Sequence, residues 1–225
     1  MDIRPLSREE VRSIDARAAT ELGLPTLVMM ENAGRGAAEW LRRRVVEGKV
    51  LVVCGPGNNG GDGGVVARHL DAWGFDVQAV WFARPDQIRG DAAVQRSVLA
   101  RSCVAQLDWD RPATPDLLEA LFETQDWVVD ALLGTGLTRP VEELLRSVIE
   151  GLNRSGKPVL ALDLPSGLDA DTGQPRGVAV RATATATFVA PKLGFAEPGS
   201  RKYTGEVFVV EIGVPSVVLE PFRVH

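Results

Sequence analysis

Groups that usually carry catalysis are scarce in this sequence. There are two histidines, His69 inside an amphipathic stretch and His225 at the terminus, so a Ser-His-Asp or Cys-His set has no base. The two cysteines, Cys54 in one apolar run and Cys103 beside another, are too few for a disulfide framework and too isolated for zinc; both are expected to be buried thiols. No G-x-S-x-G elbow and no G-x-x-x-x-G-K-[ST] loop occurs, which disfavours a hydrolase elbow and a P-loop NTPase. No apolar run approaches the roughly 18 residues of a membrane span, and the first residues, MDIRPLSREEV, hold no apolar signal core. A soluble, cytoplasmic protein without a membrane partner is expected. Basic residues are also short, with Lys+Arg 25 against Asp+Glu 30 and a net charge of -5, which argues against a nucleic-acid partner.

What is present is core material. With 225 residues and 45% hydrophobic side chains the chain can bury one large core, and disorder is excluded. Two helical segments come first. Residues 7–22 open on Ser-Arg-Glu-Glu, a capping-box pattern, and residues 26–46 space Leu27, Met30, Ala33, Ala37 and Leu41 as a helix does. From residue 49 short apolar runs alternate with amphipathic ones: 49–54 then 61–73, 77–82 then 91–100, 104–107 then 115–122, 127–132 then 141–153, and 159–162 with no helix after it. Residues 182–189 and 206–212 read as two more strands near a sheet edge. This rhythm predicts one α/β domain over residues 1–225, a three-layer sandwich around a mainly parallel sheet with two helices ahead of it.

Ligands of such sheets bind beyond the carboxyl ends of the strands, so the residues following each apolar run are the candidates. Gly55-Pro-Gly-Asn-Asn-Gly-Gly-Asp-Gly-Gly64 follows the first, Asp130-Ala-Leu-Leu-Gly-Thr-Gly136 the fourth, and Asp163-Leu-Pro-Ser-Gly-Leu-Asp169 the fifth. Topology therefore brings Asn59, Asp62, Asp130, Asp163 and Ser166 to one crevice. Gly55, Gly57 and Gly60 match G-x-G-x-x-G, which suits a phosphate or simply a tight turn. A dinucleotide oxidoreductase would want an acid after the second strand, and Ala83-Arg84-Pro85 stands there instead. Asp62 and Asp169 read equally as caps or turn residues. Asp130 and Asp163 directly follow apolar runs, where a carboxylate needs a partner, a cation or a proton to handle. Lys192 is either their positive partner or a solvated lysine. The inventory of carboxylates, amides, a hydroxyl and loop carbonyls suits a hard cation.

Five motifs, Met30-Glu-Asn-Ala-Gly34, Gly55-Pro-Gly-Asn-Asn-Gly-Gly-Asp-Gly63, Val128-Val-Asp-Ala-Leu-Leu-Gly-Thr-Gly136, Leu162-Asp-Leu-Pro-Ser-Gly-Leu-Asp169 and Thr187-Phe-Val-Ala-Pro-Lys-Leu-Gly194, together resemble the NAD(P)H-hydrate epimerases, the YjeF N-terminal domain family. The resemblance implies a Rossmann-like fold and an isomerase of metabolite repair, interconverting R and S forms of hydrated NADH and NADPH (NADHX and NADPHX) at C6 of the nicotinamide ring. By motif it implies substrate contacts from Asn58, Asn59, Gly60, Gly61 and Asp62, from Gly134, Thr135, Gly136, Leu137, Thr138, Arg139 and Pro140, and from Asp163. It implies a potassium ion (K+) on Asn59, Asp130 and Ser166. Asp163 is the first candidate for acid and base, and Lys192 the second.

Many bacterial members of that family continue into a dehydratase domain. Here dehydration is expected from another chain or another part of the protein, with functional coupling between the two, and a homodimer is expected with the helical N-terminus as its surface. Two rivals stand beside the enzyme: a non-catalytic nucleotide-binding or scaffolding module of the same fold, and a nicotinamide-dependent oxidoreductase. Filled acidic and glycine positions favour the isomerase over the module, and the oxidoreductase lacks its acid and a second-domain substrate site. Arg84 is placed to reach a 2′-phosphate.

Overall fold

The computed structural model describes residues 3–224. Seven strands form one sheet: β1 (Lys49–Cys54), β2 (Asp76–Trp81), β3 (Ala105–Asp108), β4 (Trp127–Ala131), β5 (Val159–Leu162), β6 (Ala184–Phe188) and β7 (Glu206–Val210). Their order is β3-β2-β1-β4-β5-β6-β7, and every pairing is parallel. Chain order reverses between β1 and β4, where Val53 pairs Asp130 and Cys54 pairs Ala131. The loops leaving these two strands diverge and open a crevice, the switch point of an open parallel sheet.

Period-two alternation divides the strand side chains between two cores. Val50, Val52 and Cys54 face a core built with α2 (Thr26–Arg42), α3 (Asn58–Ala72) and α4 (Gly90–Leu99). Leu51 and Val53 face the other, built with α5 (Pro115–Glu123) and α6 (Glu143–Ser155). Burial on both faces is why these strands read as continuous apolar runs. The three layers are those expected from the βαβ rhythm.

The first helix, α1 (Arg8–Leu22), begins on a complete capping box: Ser7 Oγ accepts from Glu10 N–H at 3.2 Å, and Glu10 Oε2 accepts from Ser7 N–H at 2.8 Å. Leu6, just before the cap, pairs with the segment after β6, donating to Pro191 O at 2.8 Å and accepting from Leu193 N–H at 2.9 Å. Arg8 then clasps Asp169 at 2.7 Å. These contacts, with Leu6, Val11 and Ile14 packed on Ala190 and Val218, fix α1 at the carboxyl end of β5 and β6.

Three details depart from the sequence reading. Helix α3 starts at Asn58, because the glycines taken for a loop are helix positions where neighbouring backbone comes close; a Cβ on Gly60 would stand 1.9 Å from Gly55 O. Helix α2 stops at Arg42, leaving Val46 exposed in the turn before β1. Cys54 is buried as expected, but Cys103 is exposed, since the bend between α4 and β3 lies at the sheet's outer edge with no core above it.

Candidate active site

Neighbouring strands β5 and β6 end in the same way. Asp163 adopts φ 66° and Val189 φ 68°, and each is the centre of a three-residue turn, closed by Leu164 N–H to Leu162 O and by Ala190 N–H to Phe188 O, both at 2.8 Å. Such turns are rare and strained for residues with a Cβ, and strain of this kind collects at functional sites. The turn at Val189 aims carbonyls at Lys192. Its ammonium, fully buried, donates to Thr187 Oγ1 and Phe188 O at 3.0 Å and to Ala190 O at 3.2 Å. Nζ also lies 2.7 Å from Asp163 Oδ1, an ion pair whose angle falls outside that of a hydrogen bond. Lys192 is therefore not the solvated lysine of the alternative reading.

A cavity of about 520 Å³ opens above this pair. Its walls are α1 through Val11, Arg12 and Asp15, α2 through Thr26, Met29, Met30 and Ala33, the start of α3 through Asn58, Asn59 and Asp62, and the loop from Leu132 to Arg139. Asp163, Phe188, Val189 and Ile212 line it at the strand ends, and Pro56, Gly57 and Asp91 also border it. Among the residues singled out by sequence, Asn58, Asn59, Asp62, Gly134, Thr135, Gly136, Leu137, Thr138, Arg139 and Asp163 border this cavity. Gly60 and Gly61 do not; they pack on Gly55 and on Met30 with Ala92, and Pro140 lies beyond the rim. Asp130, Ser166 and Lys192 are buried and absent from the lining. Arg84 is exposed and paired with Asp86 at 3.1 Å, away from the cavity, and Asp169 serves as a structural hub for Arg8 and Arg176.

Asp130, inside β4, is fully buried and has no ion-pair partner among the described residues. Oδ2 accepts from Ser166 N–H at 2.8 Å and Oδ1 from Ser166 Oγ at 2.6 Å. Burial pushes its carboxyl up to about 6 although the Ser166 bonds pull it down. Ser166 Oγ in turn accepts from Leu133 N–H at 2.8 Å, tying the two loops together. Asn59, on the facing side, has both side-chain polar atoms buried with no partner, which is costly unless something fills the gap. It lies close to Gly134 and Asp163: a Cβ on Gly134 would meet Asn59 Cβ at 3.4 Å and Asp163 Oδ2 at 3.7 Å. An orphaned amide oxygen on Asn59, the buried Asp130 carboxylate and the Ser166 hydroxyl are the all-oxygen chemistry that suits a hard cation of low charge. Among the described residues no cluster of three or more His, Cys, Asp or Glu could hold a metal ion.

Two more carboxyls share the cavity. Burial pushes Asp62 well above the ordinary carboxylate range, and Asp163 and Asp15 add to the shift. Asp15 is pushed up to about 6, first by burial and then by Asp163, with Lys192 opposing. Sequence reasoning missed Asp15 and Arg12. The available signal was an acid on the apolar stripe of α1, at the spacing Val11, Asp15, Ala18.

The parallel sheet, its switch point and a nucleotide-sized cavity floored by a buried Asp-Lys pair define a Rossmann-like α/β protein built to act on a nucleotide. Residues 26–194 match the family described as YjeF-related protein N-terminus, and the chain belongs to that family. It is 42% identical over 221 residues to an NAD(P)H-hydrate epimerase of Pirellula staleyi, covering 98% of this chain and 97% of that one. It is also 42% identical over 217 residues to the bifunctional NAD(P)H-hydrate repair enzyme Nnr of Thermofilum pendens, covering 95% of this chain and 41% of that longer protein. The crystal structure of yeast ynu0, YNL200c, superposes with a TM-score of 0.77 at 26% identity, over 86% of this chain and 84% of the yeast one.

Proposed function

We propose that this protein is an isomerase that interconverts the R and S hydrates of NADH and NADPH. The observation that carries this reading is the buried Asp163–Lys192 pair at the floor of the cavity, in a chain that aligns end to end with a named epimerase. C6 of the hydrate bears a hydroxyl and adjoins the ring nitrogen. Donation of the nitrogen lone pair breaks the C6–O bond and leaves a planar cation that water attacks from either face. No redox step is needed. The departing oxygen must take up a proton and the returning water must lose one, and this reading gives that transfer to Asp163, which lines the cavity at the strand ends. Lys192, with its protons committed to Thr187, Phe188 and Ala190, holds Asp163 in place and balances its charge.

The rest of the substrate follows from the lining. Gly57, at the N-cap of α3, has open space where a Cβ would stand, and Gly134 and Gly136 lie across the crevice. These positions let phosphates approach backbone N–H groups and the positive end of α3. Asn59, Asp130 and Ser166 would hold a potassium ion, which would supply charge balance and loop order rather than strong polarisation. The coupled step in repair would be dehydration of the hydrate, by another chain or another part of the protein.

The test is chromatographic. Purified R- or S-hydrate is mixed with catalytic amounts of protein, and the approach to the epimeric mixture is followed against the spontaneous rate. Acceleration without ATP and without change in nicotinamide redox state is expected; an unchanged rate at neutral pH would replace the enzyme by the binding-module reading.

A further inference from the structure

Epimerisation at C6 poses a geometric demand that one carboxylate does not meet. The hydroxyl leaves from one face of the ring and water returns to the other, so proton transfer is required on both faces. Asp163, fixed by its strained turn and by Lys192, serves only the face turned to the strand ends. A second proton carrier has to reach the same carbon from another wall.

The cavity lining narrows the choice. Its ionisable side chains are Arg12, Asp15, Asp62, Asp91, Arg139 and Asp163. Guanidinium groups do not give up protons at neutral pH. Asp91 is half-buried on α4 and already engaged by the hydroxyl of Thr26. Asp62, on the wall at the start of α3, is buried one turn from Asn59. Asp15 alone comes from α1, on a separate wall, and is half-buried, so it touches both the cavity and the solvent that must deliver and remove water. Among the described residues its carboxyl makes no hydrogen bond or ion pair. Its position is nonetheless rigid, because α1 is held by Leu6 on both sides of Lys192, by Arg8 on Asp169, and by Val11 and Ile14 in the apolar cluster.

We infer that Asp15 is the proton carrier for the ring face opposite Asp163, so that the two carboxyls act as a pair across the bound hydrate. This rests on the proposed epimerase reaction. In one direction, protonated Asp15 gives its proton to the C6 hydroxyl as the C6–O bond breaks and the ring nitrogen supplies the electron pair. Water then adds to C6 from the other face, the pair returns to nitrogen, and Asp163 takes the proton that the water loses. The reverse direction exchanges the two roles. The groups that face Asp15 are Asp163 and Lys192 at the strand ends, Asp62 on α3, and Arg12 one turn away on its own helix. Its carboxyl, raised to about 6, is shared between both protonation states near neutrality, as a group that must both give and take a proton requires.

Oxygen exchange separates this role from a structural one. Each pure epimer is incubated in water enriched in oxygen-18 with wild-type protein or Asp15→Asn, and two rates are read on the same sample: label entering the starting epimer, and conversion to the other epimer. In Asp15→Asn, conversion should fall about a hundredfold or more. Label should still enter the epimer whose hydroxyl departs on the Asp163 side, at a rate within a few fold of wild type. Because both rates come from one sample, their ratio does not depend on the fraction folded. If exchange and conversion fall together for both epimers, or if neither falls, Asp15 is not the second carrier. Failure of the wild type to accelerate conversion would instead remove the epimerase reading itself.

Discussion

Lys192 Nζ lies 2.7 Å from Asp163 Oδ1, and the ammonium has three further oxygen neighbours, from Thr187, Phe188 and Ala190. The partners are unequal. Removing the carboxylate leaves the lysine with acceptors for all its protons, whereas removing the lysine leaves a mostly buried carboxylate with no counter-charge.

That asymmetry predicts opposite outcomes for two variants. Asp163→Asn should lose about a hundredfold or more in kcat with a melting temperature near wild type. Lys192→Met should cost about 3 kcal/mol or more in stability, by loss of the buried partner. Steady-state turnover and thermal unfolding on both proteins check this. Near-normal kcat in Asp163→Asn would move the proton-transfer role to Lys192.

The glycines after β1 make a second contrast. A Cβ on Gly60 would stand 1.9 Å from Gly55 O, and one on Gly57 would meet nothing within 4 Å. Gly60→Ala should therefore fail to fold or lose several kcal/mol, at about the cost of severe overpacking. Gly57→Ala should keep its melting temperature and raise KM, because the methyl group occupies space a phosphate would use. Equal melting temperatures for the two variants would contradict this division between packing and binding.

Much of this was readable from the chain. Strands β1 and β5 are legible to the residue, since Gly48 and Gly55 bracket one and Pro158 and Asp163 the other. The convergence of Asn59, Asp62 and Asp163 on one cavity follows from parallel topology alone, with no knowledge of side-chain contacts. What periodicity could not give is which glycine serves packing and which serves a ligand, because both look identical until the neighbouring backbone is placed. Asp15 escaped for another reason. It precedes Asp163 by most of the chain, and only the pairing of Leu6 with Pro191 and Leu193 brings α1 over the strand ends.

The oxygen donor set predicts a monovalent cation between Asn59, Asp130 and Ser166. Crystals soaked in thallium salts should show anomalous density beside these three side chains, and Asp130→Ala should abolish it. Potassium should raise the wild-type melting temperature relative to choline, and the same variant should lose that rise. Density elsewhere, or none, would leave the orphaned Asn59 amide without this explanation.

Two buried aspartates should respond to pH in opposite senses. For Asp169, burial alone would raise the carboxyl, but Arg176 and the N–H groups of Thr172 and Asp171 overcome it and hold it well below its usual 3.8. A carboxylate held down in the folded state contributes stability above its unfolded pKa and loses it as pH falls through the folded one. Asp169→Asn should thus cost about 3 kcal/mol at neutral pH, and the gap to wild type should narrow below pH 3.8. Asp62 is the reverse case, because burial raises it well above 3.8 and the folded state prefers the proton. Its ionisation costs the fold stability as pH rises above the unfolded value, so Asp62→Asn should melt higher than wild type in alkaline buffer and match it near pH 4. Thermal unfolding of the three proteins across this pH range decides both signs, and a melting temperature for Asp62→Asn below wild type in alkaline buffer would overturn the assignment of Asp62 as a carboxyl strained by burial.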